Sequence, residues 1–415
     1  MAKLRRFLLR YYPPGIILEY ISDGAIVTQT IDLLDLEADS NIDEFVLRVV
    51  HSNPTLSSKL SKIRALIQRL QSKLSDSHNH RYSLLRVLKG HLLPLTNVCF
   101  NKHGTHFLTG SHDRTCKVFE SETGDLVHTL EGHSSVVYAV AFNLPSGDLI
   151  ATGSFDKTCK IWSNTSGALV HTLQGHTAEI VCLAFSSIND YLVTGSMDST
   201  ARLWEVSSGS QLATLSGHAA EVISVQFSTN SDLIITGSFD GTCRIWNLSG
   251  ETLHVLNGHK GEICRGLFDF LGLVVLSGSI DGTAKLWEVS TGVCIATLQG
   301  HRDEVLDVCF NSTGSMIATG SADGIARIFS RDGELLFSLQ GHSDQVSKVV
   351  FNPQGTVLVS GSNDGSCRLW SALTGELLQV LQGHSDEVFS CAFSYDGTFL
   401  ISGSKDNTCR VWVCG

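Results

Sequence analysis

A Gly-His pair recurs eight times along this 415-residue chain, at 90–91, 132–133, 175–176, 217–218, 258–259, 300–301, 341–342 and 383–384, with 41 to 43 residues from one pair to the next. A fixed period constrains a fold tightly, because every copy is the same structural unit and must find its neighbours to bury its apolar faces. The unit is legible from Gly132 to Trp162, GHSSVVYAVAFNLPSGDLIATGSFDKTCKIW. Two alternating apolar runs follow the pair, and Gly-Ser-x-Asp leads into a third run that ends in Trp. Alternation over four to eight residues marks a half-buried strand. A further short apolar run precedes each pair, such as residues 126–130.

Gly-His and Trp punctuation at a period of roughly 40–45 residues resembles the WD40 repeat family. The resemblance implies an all-β fold, an eight-bladed propeller with four strands per blade over residues 84–415. Residues 1–80 then form a small N-terminal mixed α/β module. Each repeat supplies the outer strand of one blade and the three inner strands of the next. Blades are numbered by their pairs, blade 1 following 90–91 and blade 8 following 383–384. The last Trp, Trp412, lies three residues before Gly415, so blade 8 has no outer strand after its own inner three. Residues 84–88, before the first pair, are the spare strand and are expected to complete blade 8, leaving no open edge. Asp240-Gly241, Asp281-Gly282, Asp323-Gly324 and Asp364-Gly365 predict tight hairpins, whereas blades 1, 2, 3 and 8 carry Asp113-Arg114, Asp156-Lys157, Asp198-Ser199 and Asp406-Asn407.

Every repeat contains His, Ser or Thr, and Asp, the residue types of a hydrolase triad. Repetition decides against catalysis, since an active site is not needed eight times in one packing context. The resemblance implies a structural tetrad instead, His133, Thr152, Asp156 and Trp162 in blade 2. In blade 3 it is His176, Thr194, Asp198 and Trp204, and in blade 4 His218, Thr236, Asp240 and Trp246. Such a network pairs polar groups that burial would otherwise orphan. Phe119 and Phe329 stand at the Trp position of blades 1 and 6 and lack the N–H donor. GxxxxGK[ST], HExxH and CxxC are absent from the chain, so the sequence offers no catalytic residue, no cofactor and no metal.

Charge narrows the partners. The chain carries a net −11; residues 1–83 hold 11 Lys/Arg against 9 Asp/Glu, and the remainder 19 against 32. An acidic propeller argues against nucleic acid, which needs a basic surface. No apolar run approaches the roughly 20 residues that span a bilayer. The start, MAKLRRFLLRYYPP, has an apolar run too short for a signal peptide, which points to the cytosol. Cys116, Cys159, Cys243, Cys367 and Cys409 hold the same place in five repeats, and read as buried thiols of a reducing compartment.

In the N-terminal segment, Leu4, Leu8 and Tyr12 predict a helical face over 3–12 that Pro13-Pro14-Gly15 stops. Residues 15–20 and 25–28 predict a hairpin around Ser22-Asp23-Gly24. A helix starts near Ser40, with Ile42, Phe45, Val46, Val49 and Val50 at helical spacing, and Asn53-Pro54 ends it. The next helix covers 55–74, where Leu56, Leu60, Ile63, Ile67, Leu70 and Leu74 form an a/d seam. That seam either pairs with a partner helix or folds onto its own neighbours or the propeller. Residues 75–80 read as a linker.

The WD40 resemblance also implies a partner-binding face, lined by the residues three and five after each Gly-His histidine and by the residue before each tetrad Asp. The first positions hold Glu179, Glu221, Glu262, Glu304 and Glu387. The other two hold Tyr138, Phe155, Val181, Met197, Ile223, Phe239, Ile280, Leu306 and Phe389. An apolar patch bordered by one charge suits a basic protein partner. The N-terminal MAKLRRFLLRYYPPGIILEY, with IDLLDL after it, resembles the WD-repeat dynein assembly factors, the outer row dynein assembly proteins. That likeness implies a monomeric, non-enzymatic adaptor linking outer-arm axonemal dynein to an intraflagellar transport-B particle subunit. It would act in the cytoplasm and in the cilium or flagellum, including basal body and axoneme. The competing reading is a substrate receptor of a ubiquitin ligase, which also pairs a helical module with a propeller.

Overall fold

The computed structural model describes residues 3–22, 25–75, 81–188 and 190–415. It divides into two compact units, Met1–His80 and Arg81–Gly415.

The first unit is a three-stranded antiparallel sheet with two helices. The sheet runs β1 (Lys3–Arg10), β2 (Gly15–Ser22), β3 (Ala25–Asp32), in that order. Strand β1 replaces the expected helix over 3–12. Phe7 and Leu9 alternate onto the core, while Arg6 and Arg10 reach cross-strand carboxylates at Glu19 and Asp32, each 2.6 Å away. A register shift between Leu4 and Arg6 lets Leu4 join Phe7 and Leu9 on that core and hides the period of two. The hairpin forms as expected; Asp23 and Gly24 lie outside the described residues. Helix α1 (Ile42–Ser52) is capped by Asn41, whose side-chain oxygen accepts from the Asp43 N–H at 3.1 Å. A 3-10 turn (Pro54–Lys59) leads into α2 (Leu60–Ser75), so the expected helix over 55–74 begins with a tighter turn. Its seam closes the module's own core: Leu56, Ile63, Ile67 and Leu70 are buried with Ile16, Leu18, Phe45 and Val49. Leu74 packs against that core, whereas Leu60 is exposed. Residues 76–80 of the expected linker lie outside the described residues.

The second unit is eight four-stranded antiparallel sheets. Blade 1 runs outward through Leu95–Phe100, His106–Ser111, Cys116–Glu120 and Leu126–Leu130. Innermost strands of successive blades lie side by side, and that of blade 8, Val388–Phe393, meets that of blade 1. The ring closes as the sequence requires: Tyr82–Leu88 pairs antiparallel with Cys409–Cys414 as the fourth strand of blade 8. Tyr82 anchors it, its hydroxyl donating to the Gly397 carbonyl at 2.6 Å.

Apolar cores lie between blades. Val193, Leu203 and Leu215 of blade 3 meet Val222, Phe227, Ile234 and Trp246 of blade 4. The closing interface is built alike, from Leu95, Val98, Phe107 and Phe119 against Ile401, Cys409 and Val411. Full burial of such side chains stabilises by about 1.5–3 kcal/mol each, so a blade is stable only between two others.

The expectation of no open edge holds at the closure but not at the rim. Each sheet ends on an outer strand with exposed apolar side chains, such as Leu126, Leu169, Leu335 and Leu377. Those edges are five to seven residues long, short enough to limit edge pairing. The hairpin after each tetrad Asp takes one conformation in all eight blades. Gly241 has φ 79° and closes a turn on the Ser238 carbonyl, and Lys157 in blade 2 holds φ 71° without being glycine.

Candidate functional site

Blade 4 shows what the repeated polar residues do. The Trp246 Nε1–H donates to Thr236 Oγ1 at 2.9 Å, and Thr236 Oγ1 lies 2.7 Å from His218 Nε2. His218 Nδ1 lies 2.8 Å from Asp240 Oδ2. The Asp240 carboxylate can only accept, so the histidine carries its proton on Nδ1, and its bare Nε2 accepts from the Thr236 hydroxyl, which in turn accepts from the indole. Asp240 also accepts from the Ala219 N–H at 3.0 Å and from the Thr242 hydroxyl at 2.7 Å. Each polar side-chain atom of Trp246, Thr236, His218 and Asp240 thus has a partner. Blades 2 and 3 repeat it: His133 and His176 each lie 2.8 Å from Asp156 and Asp198. Trp162 and Trp204 donate to Thr152 and Thr194 at 2.8 and 2.9 Å.

Two participants escape a four-residue reading of the repeat. One is the hydroxyl two after the Asp, Thr158, Thr200 or Thr242, which donates to the carboxylate. The other is the serine of Gly-Ser-x-Asp. Ser238 accepts from the Asp240 N–H at 3.1 Å and donates to the Ala220 carbonyl at 3.0 Å. The serine stood in the sequence at the same place in all eight repeats, and the hydroxyl in every repeat but that of blade 6.

Electrostatics fix the charge states. Burial lowers the pKa of His218 against the opposing pull of Asp240, so the imidazole is neutral. Burial alone would raise Asp240, but hydrogen bonds from Thr242 and His218 outweigh it and hold the carboxyl at about 2. His, Asp and hydroxyl thus sit in triad order, yet Thr236 Oγ1 belongs to a fully buried side chain with both its roles taken. No substrate atom can reach it, and the arrangement holds strands together rather than activating a nucleophile.

Blades 1 and 6 depart from this. In blade 1, Phe119 stacks on Phe107 with ring centroids 5.4 Å apart, while His91 keeps Asp113 and Thr109 at 2.8 and 2.7 Å. In blade 6, Ile325 replaces the hydroxyl two after the Asp and Phe329 replaces the Trp. The Arg327 guanidinium fills the gap, donating to Asp323 Oδ2 at 3.0 Å and to His301 Nδ1. There Nδ1 accepts, so the proton sits on Nε2 and is donated to Thr319 Oγ1 at 2.7 Å. Burial first and Arg327 second push the His301 pKa down to about 4.

The three sets of face residues lie together at one end of the ring. In all eight blades the residue before the Asp donates its N–H to the carbonyl of the residue three after the histidine. The pairs are His112 to Pro94, Phe155 to Val136, Met197 to Glu179, Phe239 to Glu221, Ile280 to Glu262, Ala322 to Glu304, Asn363 to Gln345 and Lys405 to Glu387. Val181, Ile223, Leu306 and Phe389 line the central channel beside them. Tyr138 stacks on Phe155 at 5.3 Å, and Tyr138 and Phe239 are exposed at 42% and 37%. Val181 corrects the expectation of an exposed patch: it is buried, on an innermost strand that has the innermost strands of blades 2 and 4 packed on either side. Phe155, Met197, Ile223, Ile280, Leu306 and Phe389 are half-buried. Glu179, Glu221, Glu262 and Glu304 carry no ion pair among the described residues, whereas Lys405 Nζ lies 3.0 Å from Glu387 and neutralises it.

Among the described residues, no group of three or more His, Cys, Asp or Glu side chains is placed to hold a metal ion, and no helix is long and apolar enough to cross a membrane. The twelve cysteines are free thiols, and burial raises those of Cys116, Cys159 and Cys243 above the usual range.

Comparison with known proteins matches the family described as WD domain, G-beta repeat, over 82–120, 124–163, 167–205, 209–247, 250–288, 292–330, 333–371 and 375–413. The chain is 52% identical over 150 residues to Dynein assembly factor with WD repeat domains 1 of Macaca fascicularis, covering 36% of each chain. It is 52% identical over 149 residues to the Homo sapiens protein of that name, again 36% of each. The aligned region is thus little more than a third of those relatives' length. Among solved structures, the crystal structure of the computationally designed Ika8 protein is similar with a TM-score of 0.72 and 32% identity, covering 80% of this chain and 99% of that one.

Proposed function

The chain belongs to the WD40-repeat family, and from that premise we propose that it is a non-enzymatic adaptor in dynein assembly. In this reading it links outer-arm axonemal dynein to a subunit of the intraflagellar transport-B particle, for delivery into motile cilia. It works as a monomer in the cytoplasm and in the cilium, basal body and axoneme included. The observation that carries the assignment is the 52% identity over 150 residues to a protein named as a dynein assembly factor.

The face described above is the proposed contact surface. Tyr138, Phe155, Met197, Ile223, Phe239, Ile280, Leu306 and Phe389 supply apolar contact, and Glu179, Glu221, Glu262 and Glu304 supply an acidic border. Aromatic anchors ringed by charge are the usual makeup of a protein-recognition patch. An acidic border raises the association rate of a basic partner and makes it salt-sensitive. The buried polar networks of the eight blades take no part in recognition in this reading.

Affinity capture from ciliated-cell extract with the full chain tests both levels. Recovery of axonemal dynein chains together with transport-particle subunits is the expected result. Recovery of a cullin and its adaptor instead would replace this reading by a ubiquitin-ligase receptor. Phe155→Ala combined with Phe239→Ala is expected to abolish capture without lowering the melting temperature. Undiminished capture by that variant would move the contact surface elsewhere.

A further inference from the structure

The channel through the ring carries charges that neither the tetrads nor the face use. The residue six after each Gly-His histidine lies on an innermost strand at the channel. In blade 4 this is Ser224, in blade 5 Arg265, in blade 6 Asp307 and in blade 7 Lys348. All four line one cavity of about 310 Å³.

Two of them are fastened to the next blade in the same way. The Gly266 N–H donates to Ser224 Oγ at 3.1 Å, and the Val349 N–H donates to Asp307 Oδ2 at 3.1 Å. Asp307 has a second task. Arg265 Nη1 reaches its Oδ1 at 2.7 Å, and Lys348 Nζ reaches its Oδ2 at 3.2 Å. One carboxylate therefore serves two cations, and among the described residues no other charged side chain lines the cavity. The acid faces the wall, with 5% of its side chain exposed, while Arg265 and Lys348 open onto the cavity at 32% and 22%. Among the described residues Arg265 Nε and Nη2 meet no acceptor, and the ammonium of Lys348 meets only Asp307. Burial and the neighbouring guanidinium both lower the pKa of Lys348, against the pull of Asp307.

A charge held away from water is costly unless an opposite charge meets it. Within this cavity the protein leaves one positive charge unmatched. We propose that the channel binds a small oxyanion, a free carboxylate or phosphate compound, clamped between Arg265 and Lys348. The volume sits at the lower end of the roughly 300–1,000 Å³ typical of small-molecule sites, which limits the ligand to about the size of citrate. The free guanidinium nitrogens offer the fork that oxyanions take in two parallel bonds. The glutamates of the face stand outside the cavity on solvent-exposed or half-exposed positions, where a Debye length of about 8 Å screens them.

The ring itself provides the test. Ser224 stands to Gly266 and Arg265 as Asp307 stands to Val349 and Lys348: each accepts the next blade's N–H beside the next blade's cation. Ser224→Asp therefore keeps the bond from the Gly266 N–H, gives up the one the Ser224 hydroxyl donates to the Gly266 carbonyl at 3.3 Å, and supplies the missing carboxylate within the chain. Calorimetric titration of the full-length protein with inorganic phosphate and, separately, with citrate, in sodium chloride at matched ionic strength, reads the site. Saturable one-to-one binding of at least one probe is expected. Ser224→Asp and Lys348→Met are each expected to weaken it by roughly tenfold or more. Phosphate bound without citrate, or the reverse, tells which oxyanion class the cavity takes. The absence of saturable binding by either probe overturns the proposal, as does unchanged affinity in Ser224→Asp, the variant that decides should Lys348→Met fail to fold.

Discussion

Blades 4 and 6 have nearly superposable strand plans but hold them with opposite chemistry. In blade 4 the proton on His218 points at Asp240, which can only accept, and an indole at the far end donates to the threonine of the same network. In blade 6 that donor is gone, the accompanying threonine is isoleucine, and a guanidinium has moved in between histidine and aspartate. The histidine then carries its proton on the other nitrogen. The fold requires a satisfied polar chain from one strand to the next rather than a particular set of four residues. Blade 4 meets the requirement with neutral groups around one carboxylate, and blade 6 with a buried ion pair.

The largest difference should come from deleting each aspartate. Asp240→Ala strands a histidine N–H, a hydroxyl and two backbone N–H groups, and is expected to cost about 2–3 kcal/mol. Asp323→Ala strands a guanidinium whose side chain is 8% exposed, and is expected to cost about 3–5 kcal/mol. Urea denaturation of both variants measures the two losses. Equal losses would mean that Arg327 finds water when its partner is removed, and the contrast between the blades would vanish.

Acid should separate the blades next. His218 and His301 both have folded pKa values below the ordinary 6.5, so the unfolded chain takes up protons first as pH falls. Stability is then full above about pH 6.5 and declines below it, at about 1.4 kcal/mol per pH unit for each proton by which the unfolded state leads. For His301 the window extends from 6.5 down to about 4. The aspartates act lower: Asp240 has a folded value of about 2 and adds its loss only as pH falls below the ordinary 3.8. A stability profile flat from pH 8 to 7 and falling from 6.5 is expected. Replacing His301 by Gln should flatten its lower part more than replacing His218 does. A profile that rises on acidification would refute the neutral assignment of these histidines.

The ring and its closure were legible because period and turn chemistry repeat eight times, so each copy corroborates the others. The segment Lys3–Arg10 has no copy, and its register shift at Leu4/Arg6 turned a strand's alternation into apparent helical spacing. The evidence against a helix was long-range, in the match of Arg6 and Arg10 to Glu19 and Asp32. The seam of α2 was read correctly as a seam, but which surface it met depended on a core assembled from both β2 and α1. On the face, position in the repeat placed the residues together yet did not fix their exposure. Val181 and Tyr138 hold equivalent positions, one buried and one 42% exposed, because Tyr138 lies out along the Phe155 ring. The Arg265–Asp307–Lys348 group was spelled at one position of three consecutive repeats. Its meaning depended on knowing that this position faces the channel.

The smallest expected effect probes Arg327 itself. Every blade has Lys or Arg four after the tetrad Asp, and in blade 4 it is Arg244, whose guanidinium lies over the Trp246 ring with its carbon 6.0 Å from the centroid. Methionine in that place retains the stem's packing, so Arg244→Met should change stability by less than about 0.5 kcal/mol. Arg327→Met removes a donor on which two buried acceptors depend, and should cost about 1–2 kcal/mol. The variant also has a spectroscopic consequence. Without the guanidinium, His301 Nδ1 faces Asp323 alone, and the proton should move from Nε2 to Nδ1, giving the pattern already held by His218. Nitrogen-15 NMR of labelled histidine distinguishes the two tautomers. If His301 shows its proton on Nδ1 in the unmodified protein, the blades differ only in composition, and the ion pair of blade 6 is an accessory to the same network rather than its substitute.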